Sequence, residues 1–283
     1  MTEFALSPDR REELTSLLGN EQRLKTEFPK LADYLSTAPN IPGTGNIDID
    51  NNFDIRLIHY LAGGESVNPY WEIVAPLVNA GPNERDNRRE VNGGFPQGSP
   101  RLAFAQMALQ EVYAYAIPSP DTLAWISDIC RQGGLLEIGA GRGYWAYLIS
   151  LLGVDVKAFD SEPPDATFNV SFPDSPGQKG VWFPVGDLRD LANLYGTSDV
   201  SGRTLFLCWP PGWGDGMAID SLKRFSSAGG NSLIYVGELQ GGKNATDEFF
   251  GALRDEWELL AVDPMFTSWW NLTDVAQYWI RRA

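Results

Sequence analysis

Apolar residues recur at intervals of three and four through the first part of the chain, the spacing of one face of an α-helix. This period predicts helices over residues 9–18, 21–35, 53–61, 69–78, 101–115 and 119–131. Residues 37–52 lack the period and are rich in turn-forming residues, so we expect a connector there. Up to residue 118 the chain is therefore predicted to be mainly helical.

From residue 135 onward, short apolar runs alternate with helical segments, as in a parallel sheet with helices on both faces. The runs predict seven strands, over residues 135–138, 154–160, 181–185, 203–208, 232–236, 257–262 and 275–281. Helices are predicted over residues 145–152, 217–225 and 246–254, and another is predicted to begin at Leu188. We expect an α/β domain over residues 119–283, its last two strands joined by a short loop, preceded by a helical N-terminal region over residues 1–118.

Three glycines at alternate positions, Gly139, Gly141 and Gly143, follow the first of these strands. Glycine permits positive φ and lets a ligand approach the backbone closely. In an open α/β sheet, ligands bind at this end of the strands. A dinucleotide-binding turn, G-x-G-x-x-G, would need its third glycine at Tyr144. This mismatch weighs against a nicotinamide (NAD)-dependent oxidoreductase.

The pattern Glu137-x-Gly139-x-Gly141-x-Gly143 resembles motif I of the class I S-adenosylmethionine (SAM)-dependent methyltransferases. The resemblance covers about residues 119–283. It implies a Rossmann-like methyltransferase sheet with an antiparallel terminal strand, SAM as cofactor and S-adenosylhomocysteine as product. In that family the glycine turn surrounds the methionine part of SAM, whose positive charges suit a carboxylate such as Glu137. A purely structural glycine-rich turn is the alternative interpretation.

The resemblance also implies the other cofactor contacts. Asp160, at the end of the second strand, is expected to accept hydrogen bonds from the ribose hydroxyls, and Asp187, after the third strand, to contact the adenine amino group. Asp187 is also a candidate N-cap for the helix predicted to begin at Leu188. The residues predicted to bind the cofactor all lie at strand ends: Glu137, Gly139, Ala140, Gly141, Gly143, Asp160, Ser161, Asp187, Leu188, Cys208 and Trp209.

The segment Trp209-Pro210-Pro211-Gly212-Trp213, after the fourth strand, resembles the Asp/Asn-Pro-Pro-Tyr/Trp motif of amino-methylating members of the superfamily. There the first side chain and the adjacent backbone hold the target nitrogen, and the aromatic ring stacks on a planar acceptor. Trp209 offers only an indole donor, and Gly212 displaces the second aromatic by one position, which weighs against methylation of base amino groups. Either the two indoles face a planar or cationic acceptor, or Trp209 is only a wall of the cofactor pocket. Tyr115, Tyr144 and Trp213 are the predicted acceptor residues.

Three residues are predicted to be catalytic: His59, Glu238 and Trp209. His59 is the only histidine of the chain and so a candidate general base, although its apolar neighbours are also typical of a core histidine. Glu238 lies at the end of the fifth strand, where it could orient the acceptor or act as the base. Asp215, after the Trp-Pro-Pro segment, has the same two interpretations.

Composition and charge weigh against several classes of binding partner. A net charge of −15 and a pI near 4.5 weigh against sequence-independent nucleic-acid binding, which depends on Lys and Arg. Cys130 and Cys208 are too few for a disulfide framework, and one histidine with two distant cysteines does not make a usual zinc site. The chain begins without an apolar signal region and has no stretch of membrane-spanning length, so we expect a cytoplasmic protein that does not bind membranes.

The sequence therefore predicts a SAM-dependent methyltransferase acting on a nitrogen or oxygen of a small molecule or a peptide. A non-catalytic SAM-binding or interaction protein is the main alternative, and an NAD-dependent oxidoreductase is the other. The region 1–118 is predicted to cover the site and select the acceptor. Within it, residues 81–100 are either a solvated loop or a mobile cover over the pocket.

Overall fold

A computed structural model of the chain describes residues 4–79, 88–164, 172, 174–195 and 200–282, apart from the side chains of residues 192 and 193. As the apolar period predicts, the N-terminal part is mainly helical. Its helices are α1 (Pro8–Leu18), α2 (Glu21–Glu27), α3 (Pro29–Thr37), α4 (Ile47–Leu61), α5 (Pro69–Val74) and α6 (Pro100–Val112). Short 3-10 turns follow α3 and α5. Residues 80–87 lie outside the described residues, and residues 81–87 of these belong to the segment 81–100 predicted to be a loop or a cover.

Two predictions in this region are wrong in their boundaries. The single helix expected over residues 21–35 is split into α2 and α3. Phe28 lies between them with φ −140°, outside the helical range, and Pro29 has no backbone N–H to continue the first helix. The connector expected up to residue 52 ends earlier, because α4 begins at Ile47. The side chain of Asn46 caps this helix by accepting hydrogen bonds from the N–H groups of Asp48 and Ile49.

The C-terminal part is an α/β sheet, as predicted. The strands of the described chain are β1 (Arg89–Val91), β2 (Leu135–Ile138), β3 (Val156–Asp160), β4 (Val185–Asp187), β5 (Thr204–Cys208), β6 (Ser232–Gly237), β7 (Trp257–Val262), β8 (Thr267–Trp269) and β9 (Val275–Arg281). The helices around them are α7 (Pro120–Cys130), α8 (Tyr144–Ser150), α9 (Leu191–Tyr195), α10 (Met217–Ser227) and α11 (Asp247–Glu256).

Seven of these strands form one sheet, in the order β4-β3-β2-β5-β6-β9-β7. The strands from β4 to β6 in this order pair in parallel, and β9 pairs antiparallel with β6 on one side and β7 on the other. The seven strands and the antiparallel final strand expected from the sequence are confirmed. Because parallel strands end at the same edge, β2, β3, β4, β5 and β6 bring their carboxyl ends together.

The pattern missed a second, two-stranded sheet. In it β1 pairs in parallel with β8, which lies in the connection between β7 and β9. The prediction of a short loop between the last two strands is therefore wrong. The connection, residues 263–274, contains a strand. The third strand of the large sheet begins at Val185 rather than Val181, directly after Pro184. No helix begins at Leu188: a turn follows Asp187, and α9 begins at Leu191.

The large sheet has a separate apolar core on each face. Successive side chains of β5 alternate between them, with Phe206 in one core and Leu205 and Leu207 in the other, as the two-residue period of a strand requires. The core that contains Phe206 also includes buried residues of the N-terminal helices, such as Leu57 of α4 and Leu109 of α6. The N-terminal helices and one face of the sheet thus share a hydrophobic core.

Candidate cofactor site

A cavity of about 490 Å³ lies at the carboxyl ends of β2, β3 and β5. It is large enough for a small ligand that is mostly buried. Eleven residues predicted to bind cofactor or acceptor line it: Tyr115, Glu137, Gly139, Ala140, Tyr144, Asp160, Ser161, Leu188, Cys208, Trp209 and Trp213. Residues from distant parts of the chain therefore converge on one site, because the parallel strands end together.

The glycine turn fixes the shape of the cavity floor. Gly139, Gly141 and Gly143 all have positive φ, and the N–H groups of Gly139 and Ala140 both donate to the carbonyl oxygen of Phe159 in β3. Gly143 precedes α8, and a Cβ added to it would lie 2.9 Å from the Phe183 carbonyl oxygen. Gly141 and Gly143 do not line the cavity, so their contribution is to the path of the backbone.

Glu137 is a buried acid in the cavity wall. It is 2% exposed, and the backbone N–H of Ala146 donates a hydrogen bond to its carboxylate. Its Oε2 has no hydrogen-bond partner among the described residues. Burial, with a smaller contribution from the charge of Asp160, raises the pKa of Glu137 to about 8, although the Ala146 hydrogen bond lowers it. A buried carboxyl with one unpartnered oxygen is suited to a cationic ligand.

Two further acids were predicted to contact the cofactor. Asp160 lines the cavity, and its oxygens accept from the N–H groups of Gly141 (2.8 Å) and Glu162 (2.9 Å). A carboxylate has about four acceptor sites, so Asp160 retains capacity for ligand hydroxyls. Asp187 is not part of the cavity lining. Its carboxylate accepts from the guanidinium and the backbone N–H of Arg189, and these hydrogen bonds lower its pKa to about 2. The predicted adenine contact of Asp187 stays a prediction, whereas its predicted role as a helix cap is wrong.

The Trp-Pro-Pro segment forms one side of the cavity. Trp209 has φ +52°, its backbone N–H donates to the Val236 carbonyl (2.7 Å), and its indole N–H donates to Asp274 Oδ2 (3.0 Å). Its ring stacks on Tyr115, with centroids 5.5 Å apart and planes 12° from parallel. Trp213, at the rim, is 89% exposed.

The groups that hold a target nitrogen in the amino-methylating motif are engaged elsewhere in this protein. The Pro210 carbonyl accepts from the backbone N–H of Ala245 (3.2 Å) and from the side-chain amide of Asn244 (3.3 Å). The first side chain of the motif, Trp209, is a donor and is bonded to Asp274. The Pro210 carbonyl and the Trp209 indole are thus both hydrogen-bonded within the chain, which weighs against their holding an acceptor amine as in that motif.

Of the candidate bases, Asp215 lines the cavity, whereas His59 and Glu238 do not. His59 of α4 is half-buried; its Nδ1 accepts from Arg10 Nε (3.1 Å), and burial, followed by the charge of Arg10, lowers its pKa. Glu238 is buried. Burial alone would raise its pKa, but hydrogen bonds from the backbone N–H groups of Thr273 (3.0 Å) and Lys243 (2.8 Å) outweigh burial and lower it. Glu238 thus joins the loops after β6 and β8, and a catalytic role for either residue stays a prediction.

The cavity also contains residues that strand ends and motifs did not indicate: Ala114, Trp145, Glu162, Phe172, Met217, Lys243 and Asn244. Glu162 is two residues past Asp160, and Met217 begins α10, so both could have been found as neighbours of predicted strand ends. Lys243 and Asn244 are six and seven residues past the end of β6, and they reach the cavity because the loop folds back against Pro210 and Pro211. No pattern in the sequence indicates that path.

The sequence matches no protein-family model, and no curated protein matches it. Three solved structures are similar in part. One is from work on the conversion of a disulfide bond into a thioacetal group during echinomycin biosynthesis. It is 18% identical, with 58% of this chain and 82% of that chain covered and a TM-score of 0.33. Magnesium protoporphyrin IX methyltransferase from Synechocystis PCC 6803, with bound SAM, is 14% identical over 84% of this chain and 100% of that one, with a TM-score of 0.35. A mutant of MtNAS is 10% identical, with 99% of this chain and 100% of that chain covered and a TM-score of 0.35.

Identities and TM-scores this low support no conclusion about activity. The class of fold follows from the chain itself. The strand order, the antiparallel strand β9 between β6 and β7, and the glycine turn after β2 are those of a class I, Rossmann-like methyltransferase fold. Over the described ranges, no helix is long and apolar enough to cross a membrane, and no group of three or more His, Cys, Asp or Glu residues could hold a metal ion.

Proposed function

We propose that this protein is a SAM-dependent methyltransferase that methylates a nitrogen or oxygen atom of a small molecule or a peptide. One observation carries the proposal: the buried carboxyl of Glu137 lines a cavity beside a glycine turn at the end of β2, and no described residue bonds to its Oε2. The methionine part of SAM carries an ammonium and a sulfonium, which this carboxyl would stabilise.

The charges of the cavity favour SAM over a dinucleotide. Its lining contains four acids, Glu137, Asp160, Glu162 and Asp215, and one base, Lys243, among the described residues. The pyrophosphate of NAD would be repelled by such a lining, whereas a cation would be attracted to it. The alternative of an NAD-dependent oxidoreductase is therefore disfavoured by electrostatics as well as by the glycine spacing.

In this proposal, the cofactor would be held by residues that line the cavity. Glu137 would hold the charged tail, and Asp160 would accept hydrogen bonds from the ribose. Leu188, Cys208 and Met217 would provide apolar surface. When bound, SAM would supply a methyl group activated by its sulfonium, and S-adenosylhomocysteine, a thioether, would be the product.

The acceptor side would be formed by aromatic residues and by the segment that precedes α7. Tyr113, Ala114 and Tyr115 come from the N-terminal region, and together with Trp209 and Trp213 they line the cavity. This supports a role for residues 1–118 in selecting the acceptor. The main contribution of the chain to rate would be to align the acceptor with the methyl group and to exclude water. A neutral amine would need no strong base, whereas a hydroxyl would need one.

Calorimetric titration with S-adenosylhomocysteine tests the cofactor assignment. We expect the wild-type protein to bind S-adenosylhomocysteine and not NAD, and Glu137→Gln to lower the affinity by about tenfold or more, the loss expected for one charge-assisted contact. Glu258→Gln is the matched control, because Glu258 is exposed on β7, outside the cavity lining. Binding of NAD but not of S-adenosylhomocysteine, or equal affinity in Glu137→Gln, would refute the assignment.

Turnover separates an enzyme from a non-catalytic SAM-binding protein. SAM labelled in its methyl group would be incubated with the protein and with small-molecule and peptide fractions of an extract from the source organism. An enzyme transfers label to a product that depends on intact Glu137. A binding protein retains labelled SAM without forming any product.

A further inference from the structure

Asp274 is a buried acid at the edge of the sheet where the cavity lies. It precedes β9, whose first residue, Val275, pairs with Gly237 at the carboxyl end of the antiparallel neighbour β6. The side chain is almost fully buried, with 1% of the residue exposed, although Asp274 does not line the cavity. Neither the glycine motif nor the Trp-Pro-Pro segment includes it.

Its carboxyl contacts the cavity wall directly. Asp274 Oδ2 accepts a hydrogen bond from the indole N–H of Trp209 at 3.0 Å, whereas Oδ1 is buried without a partner among the described residues. The Trp209 ring also stacks on the ring of Tyr115, in nearly parallel planes. Trp209 thus bridges a buried acid and a ring of the N-terminal region.

Trp209 has a backbone conformation that needs such support. A bulky residue with positive φ is an outlier, and such residues persist only where the surrounding structure holds them. The backbone N–H of Trp209 is held by the Val236 carbonyl, and its side chain is held by Asp274 and Tyr115. Of these partners, Asp274 is the one that bonds to the indole N–H.

We propose that Asp274 is a positioning residue that fixes the Trp209 indole, and with it the Trp209–Tyr115 stack, as a wall of the cofactor cavity. The part that concerns the cofactor rests on the proposed function; the link between Asp274 and Trp209 does not. Asp274 acts through Trp209 and does not touch the ligand.

The surroundings of Asp274 make this link sensitive to pH. Burial and the charge of Glu238 raise the pKa of Asp274 to about 7, although the Trp209 hydrogen bond and the charges of Arg88 and Lys243 lower it. Among the described residues, the titratable groups of Cys208, Tyr235 and Tyr70 also interact with it, and burial raises the pKa of each. Ionisation of Asp274 near neutral pH therefore turns an ordinary hydrogen bond to the indole into a charge-assisted one.

Nuclear magnetic resonance of the indole N–H groups tests the link without any ligand. Trp209→Phe removes one indole resonance and so identifies it. In the wild-type protein we expect that resonance to move with pH around neutrality and to lie further downfield above the pKa. In Asp274→Asn, which retains an oxygen acceptor but cannot ionise, the resonance should stay at one position. A resonance that moves equally in both proteins, or in neither, would overturn the proposal.

Affinity for S-adenosylhomocysteine tests the consequence for the cavity. We expect Asp274→Leu to weaken binding about tenfold because it leaves the indole N–H unpartnered, and Asp274→Asn to retain most of the affinity. In a Trp209→Phe background, which has no indole N–H, Asp274→Leu should have little further effect. Equal losses in both backgrounds would show that Asp274 does not act through Trp209.

The two proposals fail in different ways. Absence of binding to the wild-type protein would refute the proposed function and, with it, the cofactor part of this inference. Wild-type affinity in a folded Asp274→Leu variant would refute the inference alone. If Asp274→Leu does not fold, the comparison of Asp274→Asn with the wild-type protein above and below pH 7 decides, because only the wild-type affinity should depend on Asp274 ionisation.

Discussion

At the scale of single residues, the raised pKa of Glu137 predicts how ligand binding depends on pH. Its pKa of about 8 lies well above its ordinary value of 4.5, so the carboxyl is largely protonated at neutral pH in the free protein. A cationic ligand beside Oε2 would favour the ionised form and lower that pKa. Binding near pH 7 should therefore release a proton, and affinity should rise with pH until Glu137 is ionised in the free protein.

Calorimetry in two buffers of different ionisation enthalpy at pH 7 checks this prediction, because proton release makes the observed enthalpy depend on the buffer. We expect close to one proton released by the wild-type protein and none by Glu137→Gln. Uptake of a proton, or release that persists in the variant, would show that another group is responsible.

Gly143 provides a second prediction at this scale. Gly143 and Gly153 both have positive φ. A Cβ added at Gly143 would lie 2.9 Å from the Phe183 carbonyl oxygen, whereas one added at Gly153 would have no described atom within 4 Å. Gly153→Ala should cost about 1–2 kcal/mol of unfolding free energy from backbone strain alone. Gly143→Ala adds overpacking and should cost about 3 kcal/mol or more.

Denaturant unfolding and titration with S-adenosylhomocysteine measure both glycine variants. We expect weaker binding only in Gly143→Ala, since that turn forms the cavity floor. Equal effects of the two substitutions on stability would mean that the contact with Phe183 does not constrain the turn.

At the scale of elements, the glycine turn is hydrogen-bonded to the segment that precedes β4. The buried guanidinium of Arg142 donates to the carbonyl oxygens of Phe172 (2.9 Å) and Gly180 (3.1 Å). The backbone N–H of Trp182 donates to the Arg142 carbonyl (2.9 Å). Removing the guanidinium leaves these carbonyls without that donor. Arg142→Met should therefore lower the unfolding free energy by about 2–4 kcal/mol and, because Phe172 lines the cavity, weaken S-adenosylhomocysteine binding.

The control for this prediction is Arg131→Met, because the Arg131 side chain is 72% exposed and its partner, Asp128, is also exposed. A surface pair of this kind contributes little to stability. If Arg142→Met and Arg131→Met had the same effect, the segment before β4 would not be held by Arg142.

The sequence predicted the elements with a strong local pattern and missed those that depend on distant partners. The strand β2 and its glycine turn carry their own signal, and Asn46 could have indicated the start of α4 because it is a typical N-cap. The strands β1 and β8 are three residues long, too short for a period, and they exist because each pairs with the other across the chain. In the same way, strand ends predicted Asp160 and Trp209 in the cavity, but nothing local indicated Asn244.

At the scale of the whole molecule, a hydrogen-bonded network joins the N-terminal region to the cavity. The Tyr144 hydroxyl donates to Asn68 Oδ1 (2.8 Å), and the Asn68 amide donates to the Pro118 carbonyl (2.7 Å). Nearby, the Trp269 indole donates to the Tyr70 hydroxyl (3.0 Å). Asn68 and Tyr70 lie in the predicted N-terminal region and Tyr144 begins α8. The proposed boundary at residue 118 is therefore crossed by polar contacts, one partly buried and one buried, as well as by the shared core.

A shared core and a hydrogen-bonded network predict that the two regions unfold together. Calorimetric unfolding should show one transition, whose calorimetric and van't Hoff enthalpies agree. S-adenosylhomocysteine at 100 times its Kd should stabilise the whole molecule by about 2.7 kcal/mol and move that single transition upward. Tyr144→Phe removes the hydroxyl from the network while it retains the ring, so it should lower the transition temperature without splitting it. Two separate transitions, only one of them raised by the ligand, would instead mean that residues 1–118 and 119–283 fold as independent domains, and the selection of the acceptor by the first region would then require a mobile interface.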